Sequence, residues 1–278
     1  MTVSTASVAH ETQGQDATEF RLLGTLTVAH GDTFVPVTSG KQRAVLAALL
    51  VHANQCVTAE DLIEIVWSEP PRTARVTLQN YVKRIRHILG SSGSSVYNRL
   101  ISQPSGYLIC ASDDELDIRA FTSGCAAGHR AATAGNWELA VSRWSRALSL
   151  WRGTPFADVP SEVLAAGERC RLQEMRLQTL ESRLEMYLRL GCHAEVMAEA
   201  RLLVAAEPFR ERLHEALLLA LYRSGQRAEA LAAYRSIRGQ LASEIGIDPG
   251  PALQHLHQQI LNDDPGLWEQ RRRYSKIT

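Results

Sequence analysis

The chain of 278 residues lacks most of the patterns that mark catalysis, export or membrane residence. Its five cysteines, Cys56, Cys110, Cys125, Cys170 and Cys192, lie far apart and form no C-x-x-C pair. That spacing is a poor zinc framework and a poor disulfide framework. With no secretory leader pattern, it points to a reducing cytoplasm. No apolar run approaches the roughly 18 to 20 residues that span a bilayer. Neither membrane nor metal nor cofactor is expected. Net charge is missing as well: 30 Lys and Arg balance 30 Asp and Glu. Attraction to a charged partner must therefore come from local segregation.

The most telling absence is local. From Pro70 through Ser112 there is no Asp or Glu, while Arg72, Arg75, Lys83, Arg84, Arg86 and Arg99 all fall inside that stretch. Phosphate binding needs such a cationic face free of carboxylate repulsion. Catalytic patterns are missing too. Ser39-Gly40-Lys41 is no phosphate loop, because Val35 stands at the earlier glycine and Gln42 at the following Ser/Thr. His214-Glu215 lacks the second histidine of a zincin and reads as an exposed helical pair. Asp113-Asp114-Glu115 reads as a solvated linker. The chain is expected not to be an enzyme.

What is present suits two domains, the natural number at this length. Residues 1–18 are Ser-, Thr-, Ala-, Gln- and Gly-rich and read as a disordered tail. Phe20–Val28 has strand composition, Gly31-Asp32 offers a turn, and Phe34–Val37 resumes as a strand. Ser39 is placed to cap a helix over Lys41–His52, and Thr58 a second one that Pro70-Pro71 ends. A third helix spans Thr73–Leu89 and stops at Gly90. After a loop over Ser91–Ser95, short strands at Arg99–Ser102 and Tyr107–Cys110 flank the turn Pro104-Ser105-Gly106. This order is that of a winged helix-turn-helix over residues 19–112.

The third helix carries the chemistry. On a 100° wheel Leu78, Val82, Ile85 and Leu89 form one apolar stripe. The opposite face bears Asn80, Lys83, Arg84 and His87, with Thr77 and Gln79 on its flanks. Those are groups suited to base edges and phosphates. A rod of roughly 24 Å fits a major groove about 12 Å wide. Arg72 and Arg75 at its start, and Lys41 and Arg43 at the first helix's N-terminus, are candidates for phosphate contacts. Asn98, Arg99 and Gln103 flank the wing turn, and Tyr107 is expected in the core. The competing reading is a solvated basic helix with no ligand.

From residue 113 to 264 the pattern is helical. Gly135-Asn-Trp-Glu-Leu-Ala140, Gly191-Cys-His-Ala-Glu-Val196 and Gly225-Gln-Arg-Ala-Glu-Ala230 share a signature, and the last two begin 34 residues apart, the tetratricopeptide period. Ala140, Trp144 and Ala147 recur in register as Ala230, Tyr234 and Ile237, and Pro208 falls where such a unit ends. A long helix over Ser161–Leu190 interrupts the array. Trp137, Trp144 and Trp151 repeat every seven residues and read as packing core. Residues 265–278, with Arg271–Arg273, read as a flexible basic tail. The expected fold is thus mainly α with small β elements: a winged helix-turn-helix domain followed by an all-α tetratricopeptide-like helical repeat domain.

These segments resemble a known family. Phe20-Arg-Leu-Leu-Gly-Thr-Leu, Lys41-Gln-Arg-Ala-Val-Leu-Ala-Ala-Leu-Leu, Leu62–Trp67 with Pro70-Pro71, Thr77-Leu-Gln-Asn-Tyr-Val-Lys-Arg-Ile-Arg and Gly106-Tyr107 come first. Ala147-Leu-Ser-Leu-Trp-Arg-Gly153, Ala220–Gly225, Ala230–Tyr234 and Glu244-Ile-Gly-Ile-Asp-Pro-Gly250 follow. In that order, over about residues 20 to 264, they resemble the Streptomyces antibiotic regulatory proteins, which join an OmpR-type winged helix to a bacterial transcriptional activator domain. The resemblance implies activation of secondary-metabolite gene clusters by binding direct repeats in double-stranded promoter DNA. It also implies a homodimer on DNA and recruitment of RNA polymerase holoenzyme through its sigma factor, alpha or beta subunits, at the nucleoid. It places Thr77, Lys83, Arg84 and Arg86 on DNA and turns the loop with Ser68, Glu69, Pro70 and Pro71 toward polymerase. Gln103 stands where some OmpR-type wings carry an arginine, which puts minor-groove readout in doubt. An OmpR-type receiver and a trailing ATPase domain are both expected to be absent. The alternative function is a protein–protein adaptor that uses the helical-repeat surface.

Overall fold

The structure is a computed structural model that describes residues 18–90 and 99–269. The expected tail up to residue 17, the loop over Ser91–Ser95, Asn98 and the cluster Arg271–Arg273 lie outside the described residues. The chain divides into two compact units. One takes in residues up to Gly124 together with Ala147–Met175; the other takes in Cys125–Arg146 and the chain from Arg176 onward. The expected boundary near residue 112 falls inside the first.

The first unit opens with a three-stranded antiparallel sheet, β1 (Thr18–Arg21), β2 (Thr27–His30) and β3 (Thr33–Val35), in that spatial order. The composition of Phe20–Val28 suggested one strand; two form, and Thr18, assigned to the tail, begins the first. The break is imposed from far along the chain. Asp117, the first residue of α4 (Asp117–Thr133), accepts hydrogen bonds from the Leu22 N–H at 2.7 and 2.8 Å and from the Leu23 N–H at 2.9 Å. Two amides that would have continued a strand ladder are turned onto a carboxylate instead. Burial pushes the Asp117 carboxyl up, against the opposing pull of the two amides and of Arg152. Asp158 fastens the next residue group in the same way, accepting from the Leu26 N–H at 2.8 Å.

Asp117→Ala leaves two buried amides with no acceptor, each costing about 1–3 kcal/mol. The expected loss is about 2–5 kcal/mol in urea denaturation, with an unchanged m-value; a loss below about 1 kcal/mol would show that water or a shifted backbone satisfies both donors.

Three helices follow. In α1 (Gly40–Val51) Gln42 and every residue from Ala44 to Leu50 are buried, so this helix is enclosed rather than amphipathic. Ser39 holds the N-cap position but makes no side-chain cap bond. Thr58 does cap α2 (Ala59–Val66), its hydroxyl accepting from the Asp61 N–H at 3.1 Å. The third helix, α3 (Ala74–Gly90), lies one residue beyond the expected span. The wing strands β5 (Leu100–Ser102) and β6 (Gly106–Ile109) join a two-residue strand β4 (Val57–Thr58) in the order β4-β6-β5. Two residues are too short for any periodicity, so β4 was not foreseen.

The second unit holds the repeats. The three signature glycines take φ of +77°, +80° and +80° at Gly135, Gly191 and Gly225, the left-handed conformation that closes a helix. Each makes the same pair of turn bonds. Asn136, Cys192 and Gln226 N–H donate to the carbonyls of Ala131, Tyr187 and Leu221, and the glycines donate to Ala132, Leu188 and Tyr222. The turns join α4 to α5 (Trp137–Leu148), α6 (Glu162–Leu190) to α7 (His193–Ala206), and α8 (Glu211–Arg223) to α9 (Arg227–Gln240). The matched positions Ala140, Trp144 and Ala147, and Ala230, Tyr234 and Ile237, are all buried. A π-turn (Leu241–Ile245) and α10 (Pro251–Leu261) complete the packing on α8 and α9. Of the periodic tryptophans only Trp144 is fully enclosed, donating to the Cys125 carbonyl at 3.1 Å; Trp137 and Trp151 are half-buried.

Two expectations fail in this unit. His214 is buried, not exposed: its Nε2 lies 2.9 Å from the Pro208 carbonyl, and burial holds its pKa below the usual imidazole range. Residues 266–269, assigned to the tail, form α11 (Gly266–Glu269), because the Arg223 side chain donates to the Leu267 carbonyl at 2.8 Å and Leu267 enters the core.

Candidate nucleic-acid interface

The candidate interface is built on α3, within the first unit. Ala74, Leu78, Val82, Ile85 and Leu89 are buried along one side, so the sequence's apolar stripe is the packed one. That fixes what faces out: Arg72, Thr73, Arg75, Val76, Gln79, Asn80, Lys83, Arg84 and His87 are exposed, and Thr77 is half-buried. Asn80, Lys83 and Arg84 share one continuous surface, and among the described residues neither cation has an ion-pair partner. Free ammonium and guanidinium groups beside an amide can donate to phosphate oxygens and base edges without first breaking an internal bond.

Other expected contacts are engaged in holding the unit together. Arg86 donates from Nε to the Leu100 carbonyl at 2.9 Å and from Nη2 to the Ser102 hydroxyl at 2.8 Å. It fastens the helix to the wing. Arg43 is turned inward: Nε donates to the Asp158 carbonyl at 2.9 Å, Nη1 to the Val37 and Thr38 carbonyls, and the Asp158 carboxylate lies at 3.3 Å. Lys41 stays exposed, its Nζ 4.9 Å from the Trp67 ring, and Trp67 in turn stacks on Tyr81 of α3 at 5.9 Å. Arg75 pairs with Glu60 and Arg99 with Glu115. The stretch without carboxylates in sequence is therefore not without them in space. Burial raises the Glu115 carboxyl, but the Arg99 guanidinium and the Ser112 N–H outweigh it and hold the pKa low. Glu115 is thus part of the wing's support rather than of a solvated linker. The Arg75–Glu60 pair is exposed on both sides, and such pairs contribute little, so phosphate can compete for Arg75.

The wing turn is closed by reciprocal bonds, Gln103 N–H to the Gly106 carbonyl at 2.9 Å and Gly106 N–H to the Gln103 carbonyl at 3.2 Å, with Gln103 exposed at the tip. Tyr107 is half-buried rather than enclosed. Gly106 is buried where β6 pairs with β4; a Cβ there would collide with the Val57 carbonyl and lie 2.7 Å from the Thr58 Cα. Glycine is required by close backbone approach. Ser68, Glu69, Pro70 and Pro71, between α2 and α3, are all exposed. Sequence reasoning passed over Val76: it is 60% exposed in the middle of the polar face. Its only signal was position, since the wheel places it opposite Leu78.

Comparison with known proteins gives this geometry its family. Residues 35–108 match the "Transcriptional regulatory protein, C terminal" family and residues 116–261 the "Bacterial transcriptional activator domain". Regulatory protein DnrI of Streptomyces peucetius is 35% identical over 90% of this chain and 94% of its own length. Regulatory protein AfsR of Streptomyces griseus is 41% identical over 91% of the chain, which spans only 25% of AfsR. The solved structure of Mycobacterium tuberculosis EmbR in complex with a low affinity phosphopeptide matches with a TM-score of 0.86 and 34% identity, over 92% of this chain and 69% of EmbR. Among the described residues no helix is long and apolar enough to cross a membrane. With an exposed cationic helix in an OmpR-type winged-helix domain and an activator domain following it in sequence, the chain belongs to the Streptomyces antibiotic regulatory protein family of DNA-binding transcriptional regulators.

Proposed function

We propose that the protein activates a secondary-metabolite gene cluster by binding direct repeats in promoter DNA and recruiting RNA polymerase holoenzyme, without a catalytic step of its own. The observation that carries this reading is the outward face of α3, with Asn80, Lys83 and Arg84 exposed opposite a fully buried stripe. In a protein of zero net charge, attraction to a polyanion has to be local, and this is where the cations gather. The helix occupies the major groove, with Thr77 and His87 at the edges of its footprint. The wing follows the backbone with Gln103, Arg99 bracing it from within through Glu115, and Arg72, Arg75 and Lys41 meet flanking phosphates. The loop Ser68–Pro71 projects from the side of α3 and serves as the contact for the sigma factor or the alpha or beta subunits. Two protomers bind head to tail on the repeats, so the protein works at the nucleoid in the cytoplasm.

Footprinting on intergenic DNA of the neighbouring gene cluster tests this. Two protected half-sites of the same orientation are expected, with centres about 10–11 base pairs apart or a multiple of that, so that both readers lie on one face of the duplex. A palindromic footprint, or none, would overturn the head-to-tail arrangement.

A further inference from the structure

An isolated exposed valine needs no explanation by itself; Val76 is singled out by its neighbours. It lies on the solvent side of α3, 60% exposed, one turn before Asn80 and two turns before Lys83, with Arg72 one turn earlier. On the wheel it sits directly between Lys83 and Asn80. A β-branched residue is a poorer helix former than the Ala or Lys that would serve a purely solvated position. Every other exposed group along this line donates or accepts hydrogen bonds, so Val76 is the one point where the face offers only a hydrocarbon surface.

The major groove offers one hydrocarbon group in return, the 5-methyl of thymine. We infer that Val76 is a specificity-determining residue that packs on a thymine methyl. This inference rests on α3 being the groove element. Residues four apart on a helix are separated by roughly 6 Å along its axis, and successive bases by about 3.4 Å. The thymine therefore lies within two base pairs of the base that Asn80 touches, and adenine is the base whose N6 and N7 suit an amide. The contact adds discrimination without charge. It raises affinity for the correct sequence and leaves the salt dependence unchanged, unlike the contacts of Lys83 and Arg84.

The test uses the full chain and duplexes that it enriches from a random-sequence pool, so no operator need be known beforehand. Each thymine of the enriched site is replaced singly by uracil, which keeps the pairing and removes only the methyl. The wild-type protein is expected to lose roughly fourfold in affinity at one thymine, the effect of one buried methyl group. Val76→Ala, at an exposed helical position that alanine favours, is expected to bind the thymine and uracil forms of that site alike. Indifference of the wild type to every uracil, or equal sensitivity of Val76→Ala, overturns the inference while DNA binding through α3 stands. If no sequence is enriched, or if the affinity of the pool is unaffected by Lys83→Ala with Arg84→Ala, the groove reading itself falls, and the inference with it.

Discussion

Replacing Lys83 and Arg84 together by alanine weakens binding to promoter DNA by about 2–4 kcal/mol, 30-fold or more at physiological salt. Both side chains are exposed and, among the described residues, without ion-pair partners, so their charges are available to phosphates and base edges. Releasing two phosphate contacts also reduces the steepness of the log–log salt plot by about 1–2. Exposed substitutions of this kind change folding by no more than about 0.5 kcal/mol, so the thermal melt of the double variant matches the wild type. Gel-shift titrations at three salt concentrations read both effects. An affinity within about threefold of wild type at every concentration would remove α3 from the interface.

Gly106→Ala acts through the fold and reaches binding second. The added methyl meets backbone on two sides, the Val57 carbonyl and the Thr58 Cα at 2.7 Å. A flexible side chain can step aside from such a collision; a paired strand cannot. Overpacking usually costs about 1–3 kcal/mol, and with no side chain to yield the cost here is expected at about 3 kcal/mol or more. The β4–β6 pairing, Val57 with Tyr107 and Thr58 with Gly106, parts first, and with it the support of the wing. Urea midpoint and DNA affinity therefore fall together. Unchanged stability would mean that the two backbones do not approach so closely.

Much of this was legible in the sequence wherever one residue's chemistry determines its own neighbourhood. The apolar stripe of α3 needs only the 3.6-residue period, the Thr58 cap only a hydroxyl before the first turn, and the three helix turns only a glycine at the left-handed position. What was not legible depends on partners far away in the chain. The break between β1 and β2 comes from Asp117, 95 residues beyond Leu22. Arg43 and Arg86 have the composition of DNA contacts, yet carbonyls of Asp158 and Leu100 claim them. The glutamates that reach Arg75 and Arg99 lie outside the stretch that lacks carboxylates. His214 looked exposed because a helical wheel cannot show that the Pro208 carbonyl waits beneath it. Gly106 was correctly placed at a turn, while the reason for it, the close approach of the paired strand β4, belongs to tertiary structure.

The clasp that Asp117 and Asp158 place on the first strands also bears on how this protein is made. Leu22 and Leu26 are made well before their acceptors, which follow 95 and 132 residues later. At 5–20 residues per second the interval is on the order of ten seconds, long compared with the collapse of a small domain. During that time the nascent N-terminal strands have exposed amides and an unfinished edge. Ordering them by closing such large loops is among the slower steps a chain can take. The strands at the start of the first unit are thus completed only after α4 and the segment that carries Asp158 have been made.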